Sequence, residues 1–285
     1  MQQVFLIHAH KDLDGLNRLV EQLCDPDFLV YVHLDRSSAL DPAALHRAAR
    51  LVTPRVAVRW GGISQVAACL GSLRQILAQA PSFDKVTFLS AQDFPLLPNT
   101  LLKQQLAQFS GRELIELTPI APDAWPVTAR YQYFHREGGA HFERAACAML
   151  NVGLRLLRRT RRFPAGFTPY GGSCWWSLSR ACLAELLRLH DADPRLLRFC
   201  RWVQCPDELF FQTMIMQSHF ASRVLSDNFR YIQWPAGGAR NPKVLGEADF
   251  DQIRASHAHF CRKVDSRTSA ALVQRLLTWK ESRAA

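Results

Sequence analysis

The sequence predicts an α/β fold, in which strands and helices alternate around a sheet. The first observation is a β-α-β pattern: an apolar run at 4–8, apolar residues at helical spacing from Leu13 to Leu23, and a second apolar run at 28–34. The second is that Asp35 directly follows the second run, at the strand end where open α/β sheets bind ligands. Asp35 is equally typical of a turn or helix cap, so both interpretations remain open.

Length and charge limit the class of protein. The chain has 285 residues, of which 48% are hydrophobic, and this is enough for one large α/β domain with a substantial core. No repeat or long linker divides it, so we predict a single domain over 1–285. A net charge of +10 favours a polyanionic partner: phosphate groups, nucleic acid or an anionic membrane surface. No nucleic-acid-binding motif accompanies the charge, so we do not expect nucleic acid as a partner.

The cysteines and the hydropathy pattern predict a cellular location. No segment has the roughly 18 to 20 apolar residues that span a bilayer, and the first strand follows Met1 without a basic leader. Eight cysteines are scattered, with no Cys-x-x-Cys spacing. These features predict a soluble cytoplasmic protein with reduced thiols.

Further elements continue the alternation along the chain. Strands are predicted at 56–58, 85–89, 114–117 and 230–234, helices at 64–77, 143–159 and 269–280, and a helix-like turn at 256–265. Ser64 is the expected N-cap of its helix, because a serine hydroxyl accepts from the first free backbone N–H groups. Asp93 ends a polar cluster after the strand at 85–89, and Pro95 limits further strand pairing.

The segment Cys205-Pro206-Asp207-Glu208-Leu209-Phe210-Phe211 is the best candidate for chemistry. Pro206 suits a first helical position, which places Glu208 in the first turn of a largely buried helix. There the helix dipole favours the ionised carboxylate while the neighbouring Phe210 and Phe211 oppose it by desolvation. That balance suits a general base. The alternative is that Asp207 and Glu208 are ordinary acids of a helix N-terminus.

Two other patterns each allow two interpretations. One is a dense basic cluster consisting of Arg155, Arg158, Arg159, Arg161 and Arg162. It is either a solvated helix end, which the helix dipole favours, or a contact with a membrane surface or an anionic acceptor.

The other pattern is the pair Trp175-Trp176, which follows Gly171-Gly172-Ser173. Paired tryptophans are typical of a core. Next to a glycine turn, they also suit a platform for the apolar face of a sugar ring.

Six motifs together resemble one family. They are Val32-His33-Leu34-Asp35, Trp60-Gly61-Gly62-x-Ser64, Leu89-Ser90-Ala91-Gln92-Asp93-Phe94-Pro95-Leu96, Gly172-Ser173-x-Trp175-Trp176-x-Leu178-Ser179-Arg180, Pro206-Asp207-Glu208 and Phe260-Cys261-Arg262-Lys263-Val264-Asp265. Their order resembles that of the core-2/I-branching β-1,6-N-acetylglucosaminyltransferase family, which includes the peptide O-xylosyltransferases. The resemblance implies a GT-A type, Rossmann-like nucleotide-sugar binding fold with a mixed central sheet flanked by helices. It also implies a UDP-sugar donor, inversion at the anomeric carbon and no divalent metal.

The resemblance further implies roles for residues around the leaving group. It assigns the catalytic base to Glu208 and a diphosphate contact to Lys263, although Val264 replaces the phenylalanine of the family motif. The family's diphosphate-binding arginine falls on Arg240, with Lys243 as a rival.

The resemblance also assigns residues to the binding of the donor and of the acceptor. It places Asp35 near the nucleoside and Asp93 near the donor sugar, and it places Arg130, Trp175 and Trp234 on the acceptor side. The halves would be about 1–118 for nucleotide binding and 119–285 for the acceptor and catalysis. The membrane anchor, stem and disulfide pattern of the animal members have no counterpart in this sequence. The resemblance therefore does not predict the identity of the acceptor.

We therefore predict an inverting, metal-independent glycosyltransferase without a cofactor. N-acetylglucosamine is the first expectation for the transferred sugar and xylose the second, and a glycan or glycoconjugate is the expected acceptor. One alternative is a nucleotide- or glycan-binding protein without turnover. Another is a metal-dependent GT-A enzyme that uses Asp35 or Asp93. The expected location is the cytoplasm, with contact to the inner face of a membrane through the basic cluster as an open option.

Overall fold

The computed structural model describes residues 2–136, 141–235, 237 and 241–284. The strands are β1 Gln3–Ala9, β2 Phe28–Leu34, β3 Ala49–Leu51, β4 Lys85–Ser90, β5 Phe94–Pro95, β6 Glu113–Ile115, β7 Thr118–Pro119, β8 Tyr170–Gly171, β9 Trp176–Ser179, β10 Val224–Leu225, β11 Arg230–Ile232 and β12 Phe260–Arg262. The α-helices are α1 Leu13–Gln22, α2 Ile63–Gln79, α3 Asn99–Gln108, α4 Ala129–Gln132, α5 His141–Leu156, α6 Arg180–Ala192, α7 Arg195–Cys200, α8 Phe210–Met216, α9 Phe250–Ala255 and α10 Ala270–Ala284.

The chain forms two compact units, each built from separate stretches. The first comprises Met1–Thr53, Ser82–Gly111 and Asn228–Ala285, and the second comprises Pro54–Pro81 and Arg112–Asp227. The halves predicted from the sequence, about 1–118 and 119–285, are each one continuous stretch, whereas each of these units combines stretches from both halves.

A parallel sheet forms the centre of the first unit, with β1 between β4 and β2, and β3 outside β2. The register aligns Ile7 with Val32 and Leu89, and all three side chains are fully buried. Strands buried on both faces have continuous apolar sequences, which is why β1, β2 and β4 are recognisable in the sequence. The predicted β-α-β pattern and the position of Asp35 after β2 are confirmed.

Helix α1 covers this sheet with an apolar side. Leu16, Leu19 and Val20 are completely buried on it. Asp12 caps the helix, since its Oδ1 accepts a 3.0 Å hydrogen bond from Gly15 N, while Oδ2 accepts from Ser266 N. The cap fixes the loop between β1 and α1 at the carboxyl end of β1.

A small sheet in the first unit corrects one prediction. The segment 256–265 is not a helix-like turn, because Phe260–Arg262 form β12, parallel to β11 and antiparallel to β5. All three β12 residues are buried, so strand pairing satisfies backbone groups that water cannot reach.

The second unit contains short strands and the helices α2, α4, α5, α6, α7 and α8. Strand β6 pairs antiparallel with β9 and parallel with β10, and α6 packs against α2 and α8. Buried Glu113 links two of these elements, because its carboxylate accepts from both Ser179 N and Ser179 Oγ at 2.7 Å. The α/β fold with parallel and antiparallel strand pairs and flanking helices is therefore confirmed.

Two local predictions in this region are wrong. Residues 56–58 form no strand, and the third strand along the chain is β3 at Ala49–Leu51. The N-cap of α2 is Gly62, because the Ser64 hydroxyl turns back and accepts from Arg59 N at 2.8 Å.

Candidate active site

Glu208 and Arg130 form an ion pair in the second unit, with 2.5 Å between Glu208 Oε2 and Arg130 Nη1. Each side chain is 29% exposed, so the pair remains accessible to a ligand. The Arg130 guanidinium also lies over the Trp125 ring, 5.0 Å from its centroid. A charge-assisted hydrogen bond to a half-buried carboxylate fixes the orientation that a general base needs. The sequence predicts separate roles for Glu208 and Arg130 but does not predict their contact.

A short turn presents Glu208. Pro206–Glu208 form a 3-10 turn, and α8 begins only at Phe210. The prediction that Glu208 lies in the first turn of an α-helix is therefore wrong. Leu209, at φ −134°, interrupts the helical geometry between the two elements. The orientation of Glu208 thus depends on its side-chain contacts and on the loop before the turn.

Two backbone hydrogen bonds fix that loop. Cys205 N donates to Gly61 O at 3.0 Å, and Gln204 N donates to Arg130 O at 3.1 Å. Cys205 and Gly61 both have positive φ, at 48° and 68°. The motif around Gly61 therefore contacts the segment that carries Glu208, which gives the motif a structural role.

The glycine pair Gly171-Gly172 packs against the other side of Glu208. Gly172 N donates to Glu208 O at 3.0 Å. A Cβ atom on Gly171 would lie 2.4 Å from the Trp125 ring, and one on Gly172 would lie 2.3 Å from Glu116 O. Both distances are far below van der Waals contact, so this close approach of backbone and ring requires glycine.

Asp207 differs sharply from its neighbour. Its Oδ1 is buried without a hydrogen-bond partner among the described residues, although the carboxylate also interacts with the Cys174 thiol. Burial raises the pKa of Asp207 to about 7, and the charge of Glu208 contributes to the increase. Asp207 therefore titrates near neutral pH. From the sequence, Asp207 is predicted only as an ordinary acid of a helix N-terminus. Its apolar neighbours Pro206 and Phe210 are the signal that indicates burial.

The three predicted acceptor residues have different environments. Arg130 is part of the ion pair, Trp175 is only 9% exposed, and Trp234, in the first unit, is 56% exposed. Trp176 is a core residue, since it is 1% exposed and its ring lies 5.4 Å from that of Phe211. Contact of Trp175 and Trp234 with an acceptor stays a prediction.

Lys263 belongs to a group of cations in the first unit. Its Nζ donates to Asn241 Oδ1 at 3.1 Å. Burial lowers the pKa of Lys263, and the positive charges of Arg262 and Lys11 lower it further. Neighbouring cations that disfavour one another's charge form an environment that an anionic ligand stabilises.

The same group extends to the carboxyl ends of β1 and β2. Burial and the charge of Lys11 lower the pKa of His10, and the charges of Asp35 and Lys263 also act on His10. These residues come from three separate stretches of sequence, and Lys11 and His10 were absent from the sequence-based set.

Asp35 forms a turn after β2. Its Oδ1 accepts from Ser37 N at 2.8 Å and from Ser37 Oγ at 2.7 Å. The turn interpretation left open by the sequence is therefore seen in the structure. Contact of Asp35 with a nucleoside stays a prediction.

Asp93 forms a buried ion pair with Arg230, at 2.7 Å between Asp93 Oδ1 and Arg230 Nε. Its Oδ2 accepts from the N and Oγ of Ser90, at 2.7 and 2.6 Å. Both oxygens of Asp93 thus have partners within the protein, which indicates a structural role at the end of β4. Contact of Asp93 with a donor sugar stays a prediction.

The remaining diphosphate candidates are Arg240 and Lys243. Arg240 lies outside the described residues. Lys243 forms an ion pair of 2.6 Å with Asp249, so an acid already neutralises its charge. This contact makes Lys243 a weaker candidate than Lys263 for binding an anion.

Within the described ranges, no group of three or more His, Cys, Asp or Glu side chains is arranged to hold a metal ion. Metal independence stays a prediction.

Comparison with protein families gives one match along most of the chain. Residues 4–254 match the family model described as Core-2/I-Branching enzyme. The matched region includes Arg130 and Glu208 and ends before Lys263. The role of Lys263 therefore depends on its motif and on its cationic environment.

Curated relatives are similar at low identity. Xylosyltransferase 1 of Canis lupus familiaris is 28% identical over 241 residues, which is 81% of this chain and 24% of that protein. Xylosyltransferase of Ciona intestinalis is 24% identical over 298 residues, which is 96% of this chain and 33% of that protein. Beta-glucuronosyltransferase GlcAT14B of Arabidopsis thaliana is 23% identical over 263 residues, which is 87% of this chain and 59% of that protein. This chain thus spans about a quarter to a third of the length of these xylosyltransferases.

Proposed function

The chain belongs to the Core-2/I-Branching enzyme family, and we propose that it transfers a sugar from a UDP-sugar to an acceptor hydroxyl with inversion. Its similarity to xylosyltransferases supports sugar transfer. The observation that carries the proposal is the accessible Glu208 carboxylate, oriented by Arg130 at 2.5 Å. A protein that only binds nucleotides or glycans has no need of an oriented base.

The proposed reaction is a single displacement. Glu208 removes the proton from the acceptor hydroxyl, the acceptor oxygen attacks C1 of an α-linked UDP-sugar, and UDP leaves from the opposite face to give a β-linked product. Arg130 holds one oxygen of Glu208, which leaves the other carboxylate oxygen to accept the proton. General-base catalysis of this kind contributes typically about 10²- to 10⁴-fold to the rate.

The leaving diphosphate requires positive charge. We assign this role to Lys263, together with Arg240 from the sequence resemblance, and the structure adds Lys11 as a neighbouring cation. Fixed cations stabilise charge that develops on the leaving group, as a divalent ion does in metal-dependent enzymes. The proposed enzyme therefore needs neither a metal nor another cofactor.

The names of the relatives guide the choice of donor. N-acetylglucosamine remains the first candidate because of the family resemblance, the named xylosyltransferases strengthen xylose, and the glucuronosyltransferase adds glucuronic acid. The proposed acceptor is a hydroxyl of a glycan or glycoconjugate.

The proposed location is the cytoplasm, at the inner face of a membrane. All eight cysteines are free thiols, which supports a reducing compartment. The exposed arginines Arg155, Arg158, Arg159 and Arg162 support a nearby anionic surface.

A UDP-release assay tests the proposed function. Purified protein is incubated with UDP-N-acetylglucosamine, UDP-xylose and UDP-glucuronic acid, each with and without EDTA. We expect release of UDP from one donor above the rate without protein, unaffected by EDTA. Binding of UDP without release from any donor, even when glycan acceptors are added, would favour the binding protein. Loss of activity in EDTA with recovery in manganese would favour the metal-dependent enzyme.

A further inference from the structure

Helix α5 exposes an apolar face. Phe142, Met149 and Leu156 follow one another at intervals of seven residues, about two helical turns, and therefore lie on one side of the helix. They are 75%, 70% and 80% exposed. Leu150 and Val152, more than half exposed, lie on either side of this row. Single apolar residues on a surface are ordinary, but a continuous row on one helix marks an interaction surface.

Contacts on the opposite side fix the orientation of α5. Cys147 is buried there, and Asn151 forms two hydrogen bonds with the backbone of Phe134. Asn151 Oδ1 accepts from Phe134 N at 2.8 Å, and Asn151 Nδ2 donates to Phe134 O at 2.9 Å. The Arg155 guanidinium lies over the Tyr133 ring, 5.1 Å from its centroid. The apolar face of α5 therefore points away from the second unit.

Exposed arginines follow closely after the last residue of α5. Arg158 has a left-handed backbone, with φ at 50°, and the next N–H, that of Arg159, donates to Leu154 O at 2.8 Å. This bond closes the C-terminal end of the helix. Arg158, Arg159 and Arg162 are exposed. Between 141 and 162 the sequence contains six arginines and one glutamate, so the apolar face is accompanied by a strong excess of positive charge.

Arg161 has a different role. Its Nη1 donates to Trp202 O at 2.8 Å and its Nη2 to Phe199 O at 3.2 Å, while its guanidinium lies 4.6 Å from the Phe134 ring centroid. Arg161 thus stabilises the fold, and the basic cluster available to a partner is formed by its exposed members.

We propose that α5 and the exposed arginines after it dock on the anionic surface of a lipid bilayer. The apolar face would enter the boundary between headgroups and acyl chains, and the arginines would contact anionic headgroups. Within the described residues no helix is long and apolar enough to cross a membrane. Because α5 exposes a single apolar face, the helix would lie along the surface. This inference does not depend on sugar transfer.

Charge argues against a second copy of the chain as the occupant. Two copies meeting at this face would bring the same arginines together, and each copy has a net charge of +10. A bilayer with anionic headgroups instead complements the charge and accepts the apolar row.

Vesicle sedimentation tests the proposal with the full chain. One set of vesicles consists of phosphatidylcholine alone, and the other contains phosphatidylcholine and phosphatidylglycerol in equal amounts. We expect the protein to pellet with the anionic vesicles, to do so less at high salt, and to remain in solution with phosphatidylcholine alone.

Two variants separate the apolar and the charged contributions. The double variant Met149→Gln, Leu156→Gln keeps the charge and should bind anionic vesicles about tenfold or more weakly, because two exposed side chains no longer enter the lipid. The triple variant Arg158→Gln, Arg159→Gln, Arg162→Gln should bind roughly a hundredfold more weakly, at about fivefold for each arginine.

The matched control removes the same charge elsewhere. Arg47, Arg254 and Arg283 are exposed, and replacing all three with Gln should leave vesicle binding within about threefold of that of the unmodified protein. Thermal unfolding followed by circular dichroism should be unchanged in every variant, because each substituted side chain is exposed.

Three results would overturn the proposal. The first is that the protein does not bind anionic vesicles at low salt. The second is that the Met149→Gln, Leu156→Gln variant binds them as tightly as the unmodified protein. The third is a dimer in sedimentation velocity that this variant converts to a monomer, which would identify a second copy as the occupant.

Discussion

Asp207 and Glu208 follow one another in a single 3-10 turn, but their carboxylates have opposite surroundings. Glu208 is half-buried and paired with Arg130 at 2.5 Å, whereas Asp207 Oδ1 is buried without a hydrogen-bond partner among the described residues. One carboxylate is thus held beside a cation, and the other titrates near neutral pH. Different environments of this kind commonly separate the roles of two neighbouring acids.

Asp207 should make stability fall as pH rises. The pKa of Asp207 is raised to about 7 in the folded protein, so between roughly pH 4 and 7 the folded state holds a proton that the unfolded chain releases. Its stabilising contribution is therefore complete at low pH and lost as pH approaches 7. We therefore compare the free energy of unfolding of Asp207→Asn with that of the unmodified protein. We expect this difference to shift in favour of the variant by about 2 to 3 kcal/mol from pH 5 to pH 8, at about 1.4 kcal/mol per pH unit up to pH 7.

Urea unfolding from pH 5 to pH 8 measures this effect. Asp193→Asn is the control, because Arg195 lowers the pKa of Asp193 to about 2, outside the range of the experiment. Parallel stability curves for Asp207→Asn and the unmodified protein would show that Asp207 is already ionised in the folded state.

Arg130 should affect the chemical step more than substrate binding. Arg130→Ala removes the charge that orients Glu208, so kcat should fall about tenfold to a hundredfold with a smaller change in the donor KM. Arg130→Lys should recover part of the loss, since an ammonium keeps the charge but not the guanidinium geometry. Arg188→Ala, which removes the partner of Glu185, should leave kcat unchanged. Loss of folding in Arg130→Ala, without rescue by lysine, would assign Arg130 a structural role.

Gly171 should tolerate no side chain. The added methyl group of Gly171→Ala would lie 2.4 Å from the Trp125 ring and 2.8 Å from Glu208 O, so the ring or the turn must move. We expect a loss of about 1 to 3 kcal/mol in stability, as for other overpacked sites. Gly71→Ala is the matched control: nothing lies within 4 Å of its added methyl in α2. Gly71→Ala should be more stable than the unmodified protein by about 0.5 to 1 kcal/mol. Equal stability of the two variants would contradict the close packing.

Lys263 should bind the diphosphate of UDP. Lys263→Ala should weaken UDP binding by about 1.5 to 3 kcal/mol, the range for a hydrogen bond to a charged group, and should affect uridine little. Lys243→Ala should have a much smaller effect, because Lys243 is paired with Asp249 at 2.6 Å. Calorimetric titrations of both variants with UDP and uridine give the comparison. Equal losses for UDP and uridine in Lys263→Ala would exclude a diphosphate contact.

How much of the fold the sequence predicts depends on burial. Strands β1 and β2 lie inside a parallel sheet, so their apolar runs are unmistakable, whereas the three-residue β3 at Ala49–Leu51 has an exposed centre and leaves no such pattern. Strand β12 is equally short, and it forms because β11 and β5 pair with it. That pairing depends on segments distant in the sequence.

The sequence likewise predicts only part of the candidate site. Glu208 was identifiable from its motif, but Arg130 lies 78 positions away, and only the folded chain brings the two together. The group around Lys263 likewise brings together His10 and Lys11 from the loop after β1 and Asp35 from the loop after β2. The raised pKa of Asp207 depends on burial by surrounding segments, which its sequence neighbours indicate only weakly.

Turnover by Glu208→Gln tests the central proposal most directly. Glutamine keeps the size of the side chain and a hydrogen-bond acceptor toward Arg130, but it cannot take a proton from the acceptor hydroxyl. Glu185→Gln is the control, because Glu185 is also paired with an arginine, Arg188, but lies on α6. We expect Glu208→Gln to bind UDP as tightly as the unmodified protein and to lose about two orders of magnitude or more in sugar transfer, while Glu185→Gln retains full activity. Near-normal transfer by Glu208→Gln would contradict the assignment of Glu208 as the general base.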